Sequence, residues 1–281
     1  MTLLSLNSHV AYGYVGNAAT TFALRRLGVE VWPVHTVDLA HHPGYGTWTG
    51  QVASANALRA LIEGLAERHV FANCDMVLSG YLGAADQGAV VLDAVARVRD
   101  ANPSARYVLD PVMGDTGPGL YVDPAIARFF AESAVPRADV VTPNAFELGY
   151  LTGRPVTTLL EGYAAARALL SRGPSVVVAT SLPLDGATLG VLAVTPRAGW
   201  LVRVPRLSFP VAPNGAGDLL AALLSGHLTQ GAKLCRALGA AVNTVHGILE
   251  ATAASARREL VLVGAQGFIA APPVTLAVEA A

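Results

Sequence analysis

The chain is short of cysteine, of net charge and of long uninterrupted apolar runs, and each shortage closes off a class of protein. Two cysteines, Cys74 and Cys235, stand far apart among 281 residues. Neither a zinc-ligand spacing nor a disulfide framework can be built from them, and a reducing cytoplasm is the default location. Nineteen Lys and Arg against 20 Asp and Glu leave a net charge of −1. That balance offers no bulk attraction to nucleic acid or to an anionic membrane surface, so neither is expected as a partner. The small basic pair Arg257-Arg258 reads as solvated surface. Hydrophobic residues make up 53% and mean hydropathy is +0.46, yet no run is long enough to span a bilayer. Ser225, Gly226 and His227 interrupt Leu219–Leu228, and Asn243, Thr244 and His246 interrupt the stretch after Leu238; buried helices explain both. The opening residues lack a basic region, and Asn7-Ser8-His9 end the apolar stretch too early for a signal peptide. Familiar nucleotide motifs are also missing. There is no Gly-x-x-x-x-Gly-Lys-Ser/Thr loop, no protein-kinase signature set, and Gly13-Tyr14-Val15-Gly16 is not a dinucleotide fingerprint.

What is present is an alternation of short aliphatic runs with Ala- and Leu-rich stretches. Leu3–Leu6, Val31–Val37, Met76–Ser79, Tyr107–Leu109, Val140–Val141 and Ser175–Ala179 read as strands. The valine run of the last marks a strand buried on both faces. Ala18–Leu27, with Asn17 as N-cap, Asn56–Arg68, Gln87–Asp100, Gly162–Leu170, Leu219–Leu228 and Lys233–Glu250 read as helices. Thr188–Val194 and Trp200–Val204 flank a turn too short for a helix and predict an antiparallel hairpin. Strands separated by helices imply βαβ units: an α/β fold of three layers, with a central, largely parallel sheet and helices on both faces. No linker or repeat divides residues 1–281, so one domain is expected.

Ligands in such sheets bind beyond the carboxyl ends of the strands. The polar residues placed there are Asn7-Ser8-His9, Asp38, Ser79-Gly80-Tyr81, Asp110-Pro111, Thr142-Pro143-Asn144, Thr180-Ser181 and the turn ending in Asp218. In Asn214-Gly215-Ala216-Gly217-Asp218 the glycines let backbone approach a ligand closely. The helix that follows presents unpaired N–H groups and the positive end of its dipole to an anion. A transferring phosphoryl group fits there, with Asp218 as the base that accepts a proton from an incoming hydroxyl. A plain Gly-rich helix start explains the pentapeptide alone equally well. Asp110 and Glu147 offer carboxylates suited to Mg²⁺ beside a triphosphate; Asn144 and Glu147 also have capping-box spacing, and both readings can hold together. Thr180 and Ser181 could touch phosphate, or serve only as turn residues. His9, Tyr12, His35, Asp38, His41, His42, Tyr45, Trp48 and Tyr81 could embrace a flat heteroaromatic ring. Adjacent His41 and His42 lack ligand spacing for a metal.

In their order along the chain, these residues resemble the pyridoxal kinase branch of the ribokinase superfamily. The resemblance runs through Ser8-His9-Val10, Gly13–Asn17, His42, Tyr45, Trp48, Gly50-Gln51-Val52, Ser79–Gly83, Asp110–Asp115, Thr142–Asn144, Glu147, Thr180-Ser181 and Gly215–Leu219. It implies a ribokinase-like fold and ATP-dependent phosphorylation of the 5′-hydroxymethyl group of pyridoxal, with pyridoxine or pyridoxamine as further acceptors, in vitamin B6 salvage. It assigns Asp218 as general base and the Gly215, Ala216 and Gly217 amides as anion hole. Ser8, Val15, His42, Pro43, Gly44 and Tyr81 would bind the vitamer. Asp110, Asn144, Glu147, Thr180, Ser181, Gly215 and Gly217 would organise ATP, with Mg²⁺ held through water by Asp110 and Glu147. The residues that grip adenine stay open, the stretch Arg206–Phe209, with Arg206 and Leu207, and the helix near Val242 being the candidates. A K⁺ or Na⁺ ion and a homodimeric, cytoplasmic enzyme are implied too. Departures from the family pattern are Pro43, where a threonine is frequent, and Thr180, where the bacterial subgroup often has lysine. A related kinase of hydroxymethylpyrimidine, a sugar or a nucleoside is the alternative within enzymes. A non-catalytic pyridoxal phosphate binder is the alternative outside them.

Overall fold

The computed structural model describes residues 1–255 and 257–281. Its strands are β1 (Thr2–Tyr12), β2 (Glu30–His41), β3 (Gly50–Val52), β4 (Met76–Ser79), β5 (Arg106–Leu109), β6 (Gly114–Asp115), β7 (Gly119–Leu120), β8 (Val140–Val141), β9 (Val176–Pro183), β10 (Thr188–Val194), β11 (Gly199–Pro205) and β12 (Val278–Ala280). The helices are α1 (Asn17–Arg26), α2 (Ala55–Glu67), α3 (Gln87–Ala101), α4 (Pro124–Phe129), α5 (Ala145–Thr152), α6 (Leu159–Leu170), α7 (Ala216–Thr229), α8 (Leu234–Ser255) and α9 (Gly267–Ala270). One sheet runs β12-β11-β10-β9-β8-β5-β4-β1-β2-β3. From β2 to β9 it is parallel. Antiparallel strands close it, β3 at one edge and the β10, β11 and β12 meander at the other. The β6–β7 hairpin stands apart.

Alternation along the central strands explains why they are apolar throughout. Leu4 and Leu6 of β1, Tyr107 and Leu109 of β5, and Val177 and Ala179 of β9 pack against α2 to α6. Leu3, Val108 and Val178 point the other way, against α1, α7, α8 and α9. A strand covered by helices on both faces has no polar side to show.

The expected elements are present, but three are differently built. β1 and β2 continue to Tyr12 and His41, past a register shift between Asn7 and His9. The polar residues taken as the strand's end lie inside a ladder, because backbone pairing does not need apolar side chains where a face is exposed. Asn17 does not cap α1. Gly16 does so with φ 54° and no side-chain bond, while buried Asn17 accepts from the Ser5 hydroxyl at 2.6 Å and donates to the Asn7 and Val34 carbonyls. It ties α1 to β1 and β2. Thr180 and Ser181 do not close β9 but form a bulge within it, where both face Val191 across the shift between Gly190 and Leu192. Ser181 there has φ 54°.

Candidate active site

Asp218 lies in the first turn of α7 on the face that β1 presents to that helix. Gly215 precedes the helix with φ 91°, and α7 has no side-chain cap among the described residues. A Cβ on Gly215 would run into the Tyr14 carbonyl, so the turn is pressed against the β1–α1 loop and cannot carry a side chain. Gly215→Ala is expected to cost about 1–3 kcal/mol of stability, the usual size of such backbone strain. A thermal melt checks it, and turnover should fall with the displaced amides.

The Asp218 carboxylate is held by Asn7, whose Nδ2 donates to it at 3.0 Å. Asn7 Oδ1 accepts the backbone N–H groups of Ser8 at 2.8 Å and Tyr81 at 2.9 Å. One side chain therefore joins the expected base to two of the expected vitamer-binding residues. Gly80 makes this possible, since a Cβ there would meet the Asn7 amide at 2.5 Å. Burial raises the pKa of Asp218, while the Gly16 amide and Asn7 favour its charged form.

Next to it stand two further carboxylates. Asp110, at the end of β5, accepts the Thr142 hydroxyl at 2.8 Å. Its pKa is pushed up to about 7 by burial and by the charge of Asp218, against that hydrogen bond. Glu147 is buried as well, and burial followed by the charge of Asp110 holds it well above the carboxylate range. Its Oε2 accepts the Asn144 amide at 2.9 Å and its Oε1 the Met113 amide at 3.0 Å. Asn144 Oδ1 accepts the Glu147 amide in return, completing the capping box, and Asn144 Nδ2 donates to the Gly114 carbonyl at 2.8 Å. The capping role is thus present, and it fixes Glu147 beside Asp110. Tyr121, beyond the β6–β7 hairpin, has its phenol pKa raised by burial and then by Glu147, Asp110, Asp115 and Asp218.

Acidic groups kept out of water predict a definite pH dependence of the free protein. Folded Asp110 holds its proton more tightly than the unfolded chain does. Its contribution is fully present below the ordinary value of 3.8 and is lost as pH rises through about 7. The melting temperature of the ligand-free protein should fall between about pH 5 and pH 8 by more than that of Asp110→Asn, which has nothing to titrate there. Differential scanning calorimetry at those two pH values tests this.

Of the residues expected to bind the vitamer, Ser8 in β1 and Tyr81 just past β4 are joined through Asn7, and Val15 lies in the β1–α1 loop. Val15 is buried, and a Cβ on Gly16 would strike Ser8, so the β1–α1 loop is packed against β1. His42, Pro43 and Gly44 form a short 3₁₀ turn, Pro43–Tyr45, in which His42 Nδ1 accepts the Gly44 amide at 3.0 Å. Proline at the first position pre-sets that turn, which gives Pro43 a structural reason to be there. Thr180 is joined to the segment that opens α5: its amide donates to the Pro143 carbonyl at 2.9 Å and it bridges Asn144. Arg206 and Leu207 lie on the β11–α7 connection, tied by the Arg206 amide to the Ala187 carbonyl. Among the described residues, ligand atoms close enough to share a metal ion occur at His9, His35 and Asp38, where the imidazoles are stacked at 4.3 Å and 4°. A cation cannot lie in both ring planes there.

The Arg257-Arg258 pair is not simply solvated surface. The Arg258 guanidinium sits 3.7 Å over the Tyr45 ring and donates to the Gly44 carbonyl, because an arginine plane stacks well on an aromatic face. Asn7 and Thr142 stand among the polar strand-end residues, and the structure adds what each one holds, Asp218 and Asp110. Tyr121 and Glu259 come from connections whose path the sequence leaves open.

Known proteins resemble this chain over nearly its whole length. The family model described as phosphomethylpyrimidine kinase matches residues 45–260. A pyridoxal kinase PdxY of Rubrobacter xylanophilus is 49% identical over 278 residues, covering 98% of this chain and 95% of its own. One from Corynebacterium diphtheriae is 42% identical, with 99% of both covered. The pyridoxal kinase of Leishmania donovani in complex with ADP and pyridoxamine superposes with a TM-score of 0.93 at 29% identity, covering 100% of this chain and 99% of that one. A putative phosphomethylpyrimidine kinase from Bacteroides thetaiotaomicron gives 0.90 at 27%, covering 100% and 97%. No helix among the described residues is long and apolar enough to cross a membrane.

Proposed function

The chain belongs to the pyridoxal kinase family, and on that premise we propose a mechanism built on Asp218, Asn7 and the turn that begins α7. The enzyme transfers the γ-phosphoryl group of ATP to the 5′-hydroxymethyl group of pyridoxal. The observation that carries the mechanism is the Asn7–Asp218 bond. It anchors a half-buried carboxylate at a helix N-terminus and links it to the backbone of Ser8 and Tyr81. Asp218 accepts the hydroxyl proton as the oxygen attacks. The Gly215, Ala216 and Gly217 amides, with the α7 dipole, stabilise charge on the transferring group. Ser8, Val15, His42, Pro43, Gly44 and Tyr81 hold the vitamer, and Thr180, Ser181, Asn144, Arg206 and Leu207 hold the nucleotide.

Asp110 and Glu147 suit Mg²⁺, because buried carboxylates whose proton affinity is raised by burial and by a neighbouring carboxylate, Asp218 for Asp110 and Asp110 for Glu147, are what a divalent cation relieves. Both oxygens of Glu147 already accept amides, so Glu147 would act through water. When bound, the ion neutralises charge on the phosphate oxygens. A K⁺ or Na⁺ ion beside Thr180 and Ser181, a homodimer, a cytoplasmic location and a single kinase domain over residues 1–281 complete the reading. Its support is the family resemblance and, for the last, one continuous sheet.

An acceptor panel read by ADP release tests the assignment. Pyridoxal should be turned over faster than pyridoxine, hydroxymethylpyrimidine or ribose. Hydroxymethylpyrimidine at the head of the panel would instead favour the activity named by the matching family model.

A further inference from the structure

We infer that Tyr45, Arg258 and Glu259 form a latch that sets the position of the vitamer loop, so that Arg258 and Glu259 are positioning residues for vitamer binding. The inference rests on reading His42–Tyr45 as that loop.

The loop cannot hold itself. It is a single 3₁₀ turn, Pro43–Tyr45, with no buried residue, and such turns are weak when isolated. Beyond ring contacts of Tyr45 with Tyr12 and His41, its hydrogen-bonded restraints come from the segment after α8, 214 positions along the chain. The Tyr45 hydroxyl donates to Glu259 Oε1 at 2.8 Å. The Arg258 guanidinium covers the Tyr45 ring and donates to the Gly44 carbonyl. Glu259 is itself only 9% exposed, seated where a Cβ on Gly13 would run into its carboxylate. Gly13, at φ 102°, leaves the room that the carboxylate takes.

What the latch fixes is a donor. Arg258 orients the Gly44 carbonyl, and the Gly44 amide points its N–H at His42 Nδ1. That nitrogen is used as an acceptor, so the neutral ring carries its proton on Nε2. Burial holds the His42 pKa below its ordinary value, with Glu259 opposing and Arg258 and His41 assisting. The same glycine abuts the catalytic turn, since a Cβ on Gly44 would lie 3.4 Å from Asn214 Nδ2. The latch therefore controls where the loop stands relative to the turn that ends in Asp218, without contacting the carboxylates of the phosphate side.

Steady-state kinetics on full-length protein tests this with wild type, Tyr45→Phe, Glu259→Ala and Glu259→Gln. Tyr45→Phe keeps the ring under Arg258 and removes a single hydroxyl, so its fold is secure. It and Glu259→Ala should raise KM for pyridoxal by about five- to tenfold, the net worth of one ordinary hydrogen bond. KM for ATP and kcat at saturating pyridoxal should stay unchanged. Glu259→Gln keeps an oxygen facing Tyr45 and should recover most of the loss. An unchanged KM for pyridoxal in Tyr45→Phe and Glu259→Ala overturns the latch. So does a parallel rise in KM for both substrates, which would mark a general loosening. A wild-type enzyme that ignores pyridoxal while phosphorylating another alcohol would sink the reading of the loop, a failure visible before any variant is made.

Discussion

Replacing Asp218 with asparagine should lower kcat by about two to four orders of magnitude, the range that a positioned general base contributes. Binding of ATP should survive. Asparagine preserves volume and can still meet Asn7 Nδ2 through its amide oxygen, so β1 and α7 stay joined. What disappears is the lone pair that takes the hydroxyl proton, together with a negative charge that raises the proton affinity of Asp110. The variant should therefore keep its nucleotide affinity, measured by calorimetry, while single-turnover phosphorylation of pyridoxal slows. A variant that turns over at near wild-type rate would remove Asp218 from the role of base and leave the turn as an anion site alone.

The legible part of this protein was its strand ends. Asp110, Asn144, Glu147 and Asp218 each follow an aliphatic run or open an apolar helix, and a parallel sheet gathers such residues at one edge whatever the loops between them do. The βαβ alternation was legible for the same reason, because strands buried on both faces and helices buried on one leave different periodicities. Less could be read where side chains act across the chain. Asn17 has the composition of a cap and the spacing of one, yet its amide is buried among Ser5, Asn7 and Val34. Local propensity lost to a tertiary bond. The end of β1 was misjudged because pairing with β2 resumes after a bulge, and register shifts leave no periodic trace. Arg258 reads as surface because its partners, Gly44 and Tyr45, are 214 and 213 residues away along the chain.

Asn7 is where these threads meet, and changing it to aspartate should separate holding from chemistry. The Ser8 and Tyr81 amides would still find an acceptor at Oδ1, as they do at 2.8 and 2.9 Å, so the β1 and β4 loops should keep their places. The donor facing Asp218 at 3.0 Å would become a second carboxylate. Two carboxylates that close cannot both ionise near neutrality, and the pair retains a proton. Asp218 already has its pKa raised by burial, so the change acts in the same direction. At about pH 7 the base would be largely protonated and kcat should drop by about tenfold or more, then recover as the pH is taken towards about 9. The acid limb of the pH–rate profile should move to higher pH while KM for ATP holds. Asn7→Leu provides the contrast, because it strands two buried amides and should lower the melting temperature with no recovery in alkali. An Asn7→Asp profile that falls in amplitude without moving along the pH axis would mean that Asn7 only props up the loops and does not govern the charge on Asp218.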